Sequence, residues 1–378
     1  MYMQSDLKDQ QLATQIQAIV EKHYDLGPLT RIREIFGGFV NRSYAVWMGQ
    51  QGRSKKFFLR EYNPSIAASE IRFEHALLNH LRQNGLDIVA GVIPCRDGST
   101  FVKTSVQGRQ ATYWGLFEFL EGDNPYTWVK TDLTDAEFAS AAKILARMHH
   151  CGRDFIKPEG ADRAQPRIME FIATFKSVFS GYAKQAGNRR CDTLFKSNTA
   201  MIFSVIDGCT AAAENYGGML EAPVHGDYHP GNLKYKNEKG VGLFDFDWAK
   251  IDYRVFDVAL GLVYFTSEWN GAAAGSLRMD KFALFLKNYN EQCIRLDGIA
   301  PLTKKEQENL IPMLAAGNLL VLNWDLMDFY ETENGDDDEY YTYIEHNILL
   351  MHWIEAHVAD ISQVIQQVDS PGTYCYYI

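Results

Sequence analysis

The densest set of reactive residue types is Val224-His225-Gly226-Asp227-Tyr228-His229-Pro230-Gly231-Asn232-Leu233, followed by Val241-Gly242-Leu243-Phe244-Asp245-Phe246-Asp247-Trp248. An Asp and an Asn five apart lie in a polar loop, and the short apolar strand after it ends in another Asp. Phosphoryl transfer from ATP needs this kit: one carboxylate to orient or deprotonate an attacking hydroxyl, and a carboxylate with an amide oxygen to hold the Mg²⁺ that bridges the phosphates. Taken singly, Asp227 and Asn232 have a plainer explanation, since Asp and Asn form turns. Asp245 at the end of a following strand tips the balance toward chemistry. His225 and His229 do not read as a zinc pair, because no helix persists through Gly226 and Pro230. His229 reads as a loop-shaping residue. Asp247 reads either as a metal or substrate contact or as a cap.

HGDYHPGN at 225–232 with LFDFDWA at 243–249 resembles the superfamily of aminoglycoside phosphotransferases, choline kinases and type II homoserine kinases. Their pattern is H-G-D-x-x-x-x-N, then an apolar strand ending in I-D-F or I-D-W/G. The resemblance implies a bilobal, protein-kinase-like α+β fold with ATP and Mg²⁺ as cofactors. It implies Asp227 as catalytic base, Asn232 and Asp245 as metal ligands, Asp257 as a carboxylate that steadies the loop, and His225 as a residue that orients it. In the amino-terminal part, Phe36 to Ser43 resembles the family's phosphate-facing loop. There Gly37 and Gly38 would let the backbone approach the phosphates, with Asn41 and Ser43 as further donors; an ordinary hairpin turn is the plainer alternative. Arg60, in Phe57-Phe58-Leu59-Arg60-Glu61-Tyr62, stands where the family often has Lys, and is implied as the phosphate ligand with Lys56 as fallback. Glu74 is its implied ionic partner and Glu70 the alternative. Backbone groups of Glu118, Phe119 and Leu120 would read the adenine edge.

The elements that must position these residues change class along the chain. Residues 6 to 24 carry Leu12, Ile16, Ile19 and Val20 at helical spacing, and Gly27-Pro28 stops them. Strands are expected over 43–48, 56–60, 100–106 and 113–120, with a helix over 65–83. Thr134-Asp135-Ala136-Glu137 is a capping-box start for a helix to about His149. Residues 152–166 are loop. Helices are expected near 167–185, 196–216, 254–269, 278–294, 303–331 and 339–367, with one strand-like stretch at 223–252. The expected division is a strand-rich nucleotide lobe over 1–120 and a helical catalytic and acceptor lobe over 121–378.

The net charge of -11, without a basic stripe, argues against nucleic acid and anionic membranes as partners. No 18-residue apolar segment is read, so no membrane span is expected. Six cysteines without a C-x-x-C pair fit a reducing compartment. With no basic head joined to an apolar stretch at the start, a cytoplasmic location is expected, as a monomer or homodimer. The expected partner is a small-molecule alcohol acceptor, amino-bearing. The run from Lys250 to Trp269 resembles type II homoserine kinases, and Trp324, Asp325 and Asp328 on one helix could receive an ammonium group. Homoserine therefore ranks first, then an amino sugar such as an N-acetylhexosamine, then choline or ethanolamine. Arg254 would meet the homoserine carboxylate or pair with a structural acid. A protein kinase is disfavoured by the lack of H-R-D, D-F-G and A-P-E. A non-catalytic nucleotide-binding regulator is disfavoured by the presence of Asp227, Asn232 and Asp245.

Overall fold

The computed structural model describes residues 3–36, 40–50, 53–105, 110–332 and 336–369. The chain forms two compact units: Met1–Pro125 with Asp154–Ala164 and Leu233–Asp247, and Tyr126–Arg153 with Gln165–Asn232 and Trp248–Ile378. The strand-rich unit thus runs through Pro125 and takes in two later segments, one of them the strands that lead to Asp245.

The first unit is built on β1 (Met3–Asp6), α1 (Gln10–His23), β2 (Leu29–Phe36), β3 (Arg42–Met48), β4 (Lys55–Glu61), α2 (Ala68–Gln83), β5 (Val102–Thr104) and β6 (Thr112–Glu118). The strands form one antiparallel sheet in the order β1-β2-β3-β4-β6-β5. Helix α1 starts at Asp9, whose side chain accepts from the Leu12 amide at 3.0 Å, and not at residue 6. The residues before it form the edge strand β1, whose polar sequence carries no alternation to reveal it. Leu12, Ile16, Ile19 and Val20 of α1 pack with Tyr44, Val46, Leu59, Trp114 and Leu116 of the sheet in one buried cluster. Each such buried aliphatic side chain contributes about 1.5–3 kcal/mol.

The second unit opens with α3 (Asp135–Gly152), α4 (Ile168–Gln185) and α5 (Arg190–Ala212), then β7 (Glu221–Val224). The capping box of α3 forms between Thr134 and Glu137. Strands β8 (Leu233–Lys236) and β9 (Lys239–Leu243) are a hairpin of the first unit. In the second unit β10 (Lys250–Tyr253) pairs antiparallel with β7. Then follow α6 (Arg254–Thr266), the short pair β11 (Ser267–Glu268) and β12 (Ser276–Leu277), α7 (Met279–Arg295), α8 (Lys304–Glu308), α9 (Leu310–Glu331), α10 (Asp337–Ala356) and α11 (Val358–Asp369). Two helices expected as continuous are broken, at Asn309 and at His357. Thr303 caps α8 with Glu306, whose carboxylate is anchored by Arg254, and α8 ends at Asn309, whose φ of -105° and ψ of 3° depart from helix.

Helix α9 corrects one expectation. Its 22 residues are long and apolar enough, by length and composition, to cross a membrane. Asn318, Asn323 and Asp325 interrupt the run, so no continuous apolar stretch marks it in the sequence. In the fold 72% of the stretch is buried, as befits a core helix packed against α6 and α10. The five described cysteines are all buried thiols, none of them in a disulfide.

Candidate active site

In the first unit the site is organised around Arg60. Its Nη1 donates to Glu74 at 3.0 Å and to Asp247 at 2.5 Å, and its Nη2 lies 3.7 Å from Asp245. Burial acts to strip its proton, and the carboxylates of Asp247, Glu74 and Asp245 outweigh that, so its pKa stands well above the usual value. Burial pushes the Glu74 carboxyl up and Arg60 pulls it back, with the net shift upward. Tyr62 donates to Glu74 at 2.9 Å and locks its rotamer. Arg60 Nε is buried with no hydrogen-bond partner. Asn41 donates from Nδ2 to Asp247 at 2.5 Å while its Oδ1 accepts from the Asn63 amide. Ser43 stands opposite Arg60 in the β3–β4 register. Gly37 and Gly38 lie outside the described residues.

The alternatives named from sequence go elsewhere. Lys56 sits 3.5 Å from the Phe119 ring centroid, and Glu70 caps α2 by accepting from the Ala67 amide at 3.1 Å. Glu118 pairs with Arg82 at 2.9 Å, and its amide donates to the Gly91 carbonyl, so that N–H is not available to a base. Leu120 lies beside Gly242, where an added Cβ would meet it at 3.5 Å. Asp245 follows β9 with φ at 67°, in the left-handed region that residues other than Gly, Asn and Asp rarely adopt. Such a backbone costs energy and recurs at functional positions.

In the second unit β7 delivers the 225–232 loop. Asp257, at the start of α6 and fully buried, accepts from the His225 amide at 2.8 Å, the Gly226 amide at 3.0 Å and His149 Nε2 at 3.0 Å. Gly226 has φ at 75°, and a Cβ there would lie 2.4 Å from the Trp248 carbonyl oxygen, so only glycine fits. Asn232 donates from Nδ2 to the Asp227 carbonyl at 2.9 Å and to Asp227 Oδ2 at 3.1 Å, which leaves its oxygen as the function able to take a cation. His229 Nδ1 accepts from the Gly231 amide at 3.0 Å, and Nε2 lies 3.6 Å from Asp227 Oδ2. The Tyr264 phenol is raised well above its usual range by burial, by the charge of Asp227 and its hydrogen bond to it, and by Asp325.

Asp325, on α9, is buried and accepts from Asn347 Nδ2 at 2.7 Å. Among the described residues no cationic side chain pairs with it, and burial raises its carboxyl well above the usual range. Trp324 packs on Trp248 with centroids 5.0 Å apart. Asp328 is half-buried and also raised by burial. Arg254 is used by Glu306 and by the Ala300 and Pro301 carbonyls. Of the acidic run at 336–339, Asp336 caps α10 and Asp337 accepts from the Arg190 and Cys191 amides. Sequence reasoning missed Tyr264 and Asn347; the only signal for Tyr264 was its hydroxyl within the apolar run 258–265 of α6.

Among the described residues no group of three or more His, Cys, Asp or Glu could by itself hold a metal ion. The donors present are carboxylates and an amide oxygen, which suit Mg²⁺: it takes one or two carboxylates and completes its shell with water and phosphate.

A β-rich amino-terminal part, a helical carboxy-terminal part and these two motifs define a kinase-like fold, and residues 31–285 match the model of the phosphotransferase enzyme family; the chain belongs to that family. Among its curated relatives is a homoserine kinase of Bradyrhizobium sp. (strain ORS 278), 26% identical over 296 residues that cover 78% of this chain and 79% of the relative. Among solved structures, a microcompartment-associated aminopropanol kinase superposes with a TM-score of 0.68 at 19% identity, covering 94% of this chain and 99% of its own. An amicoumacin kinase, hAmiN, in complex with AMP-PNP, Ca²⁺ and Ami, gives 0.63 at 15%, covering 90% and 93%.

Proposed function

We propose that this protein transfers the γ-phosphoryl group of ATP to the hydroxyl of a small amino-bearing alcohol, with homoserine as first choice. The observation that carries this is the Asp227 loop: its carboxylate is fixed by Asn232, and the loop itself hangs on the buried Asp257. Asp227 orients the acceptor hydroxyl and takes its proton as the oxygen attacks the γ-phosphorus and ADP leaves. Arg60, kept charged by three carboxylates, holds phosphate oxygens, aided by the 37–43 loop. Asn232 and Asp245 would hold Mg²⁺, which when bound neutralises charge on the phosphates. Asp247 ties Arg60 to Asn41. Rate enhancement then comes from positioning and electrostatics.

The amino group of the acceptor finds its counter-charge in Asp325, a buried carboxylate with no cation paired to it among the described residues. An ammonium there would ionise Asp325 and pair with it, which a neutral sugar could not do. One observation favours a second reading, an amino alcohol without a carboxylate. Arg254, the cation available to the homoserine carboxylate in sequence, is fully used within the fold. The test compares kcat/KM for L-homoserine, 1-amino-2-propanol, ethanolamine, choline and N-acetylglucosamine at saturating ATP–Mg. A tenfold lead, about 1.4 kcal/mol, identifies the acceptor class. Asp245→Asn should abolish Mg²⁺-dependent turnover with the fold intact, and full activity in that variant would refute the metal assignment.

A further inference from the structure

The sequence assigns His229 only a loop-shaping part, and half of its ring plays it. Nδ1 faces the Gly231 amide at 3.0 Å, and an amide N–H can only donate, so Nδ1 must be the unprotonated nitrogen. An imidazole with an unprotonated ring nitrogen is neutral. A neutral imidazole carries one proton, which therefore sits on Nε2, the atom 3.6 Å from Asp227 Oδ2. The ring has little freedom to turn. Tyr264 covers it at a centroid distance of 5.3 Å, and a Cβ at Gly231 would press on Cε1 at 2.8 Å.

We propose that His229 is a positioning residue for the transfer reaction, holding the Asp227 carboxylate in its reactive rotamer with an Nε2–H whose tautomer the Gly231 amide dictates. The inference rests on the phosphotransfer reading of Asp227. The Asn232 amide bonds Asp227 Oδ2, and a second donor to the same oxygen removes the carboxylate's freedom to swing. The 3.6 Å separation is longer than a good hydrogen bond, as expected of a contact that tightens when the acceptor hydroxyl is bound. Gly231 is then required for a reason apart from turn geometry, since any side chain would displace the imidazole.

The two ring nitrogens can be tested separately. Asn at 229 places an acceptor near the Nδ1 position and keeps the loop bond. Gln reaches the Nε2 position and keeps the donor to Asp227. Steady-state assays with ATP–Mg and the best acceptor of the panel above should give His229→Gln a kcat within about tenfold of wild type and His229→Asn a loss on the order of 100-fold, with KM for ATP unchanged in both. A loop-shaping role alone predicts the reverse order. The second readout needs no turnover: long-range ¹H–¹⁵N spectra of the wild-type protein, with the His229 signals assigned by their loss in His229→Gln, should report an Nε2–H tautomer. An Nδ1–H tautomer, or equal kcat for Asn and Gln, overturns the inference. Full activity in Asp227→Asn would instead overturn the reading of Asp227 on which it depends.

Discussion

Asp257→Asn should destabilise this protein by about 2.5–6 kcal/mol while changing almost nothing in side-chain volume. In the native protein Asp257 Oδ2 accepts from the His225 amide and from His149 Nε2, and Oδ1 accepts from the Gly226 amide. His149 is neutral because burial lowers its pKa, and Tyr289 donates to its Nδ1, so Nε2–H is bound to be a donor. An asparagine has one acceptor oxygen. Turned to serve His225 and His149, it points its NH₂ at the Gly226 N–H, donor against donor. One bond to a charged acceptor is lost, worth about 1.5–3 kcal/mol, and one buried amide is left unmade at about 1–3 kcal/mol. Against a total stability typically near 5–15 kcal/mol this is a large fraction. Burial alone would raise the Asp257 pKa, but the bonds from His149 and the loop amide hold it below the ordinary range. A depressed carboxyl contributes stability above its unfolded value near 3.9, lost as pH falls through the folded value, so the difference is fully expressed at pH 7. Urea titrations of both proteins at pH 7 give the number, and hydrogen exchange at Gly226 locates it. A loss below about 1 kcal/mol with an unchanged m-value would refute the reasoning.

Arg60→Ala should raise KM for ATP and lower turnover, because it also leaves the Glu74, Asp245 and Asp247 carboxylates without their common cation; an unchanged steady-state profile would move the phosphate role to Lys56. His75 and His346 are buried and lowered to about 3, mainly by burial, so they stay neutral in the fold while the unfolded chain takes up protons below its value near 6.5. Stability should therefore fall by about 2 kcal/mol for each between pH 7.5 and pH 5. His346→Gln should remove one share of that slope, and identical slopes in urea titrations would contradict it.

The contacts within the 225–232 loop were legible in the sequence because its residues are neighbours along the chain. Arg60 and Glu74 were legible for a related reason, as residues of adjacent elements in one unit. Tyr264 and Asn347 were not, because each matters only through a partner brought from elsewhere in the chain: Asp227 for the first and Asp325 for the second. The same holds for Arg254, whose ring of acceptors at 300–306 lies about fifty residues away. Edge strand β1 escaped because backbone pairing needs no side-chain pattern. The breaks at Asn309 and His357 fall inside runs whose composition suits a helix throughout, so composition does not mark them.

Helix α9 has a consequence for the chain before it is folded. From Leu310 to Trp324 it carries no charge, and its acids, Asp325, Asp328 and Glu331, are gathered at its carboxy-terminal end. On the ribosome, before α6 and α10 have closed over it, this segment presents the features that membrane-insertion machinery and hydrophobe-binding chaperones recognise. An Asp at the centre of a membrane segment opposes insertion by about 2.5–3.5 kcal/mol, against a few tenths of a kcal/mol gained per Leu, and Asp325, in the last third of α9, opposes it by less. Asp325 thus ends the uncharged run as well as standing in the folded interior. Replacing it with leucine would bring the helix closer to a membrane anchor, and the defect would surface first as mislocalised or degraded protein.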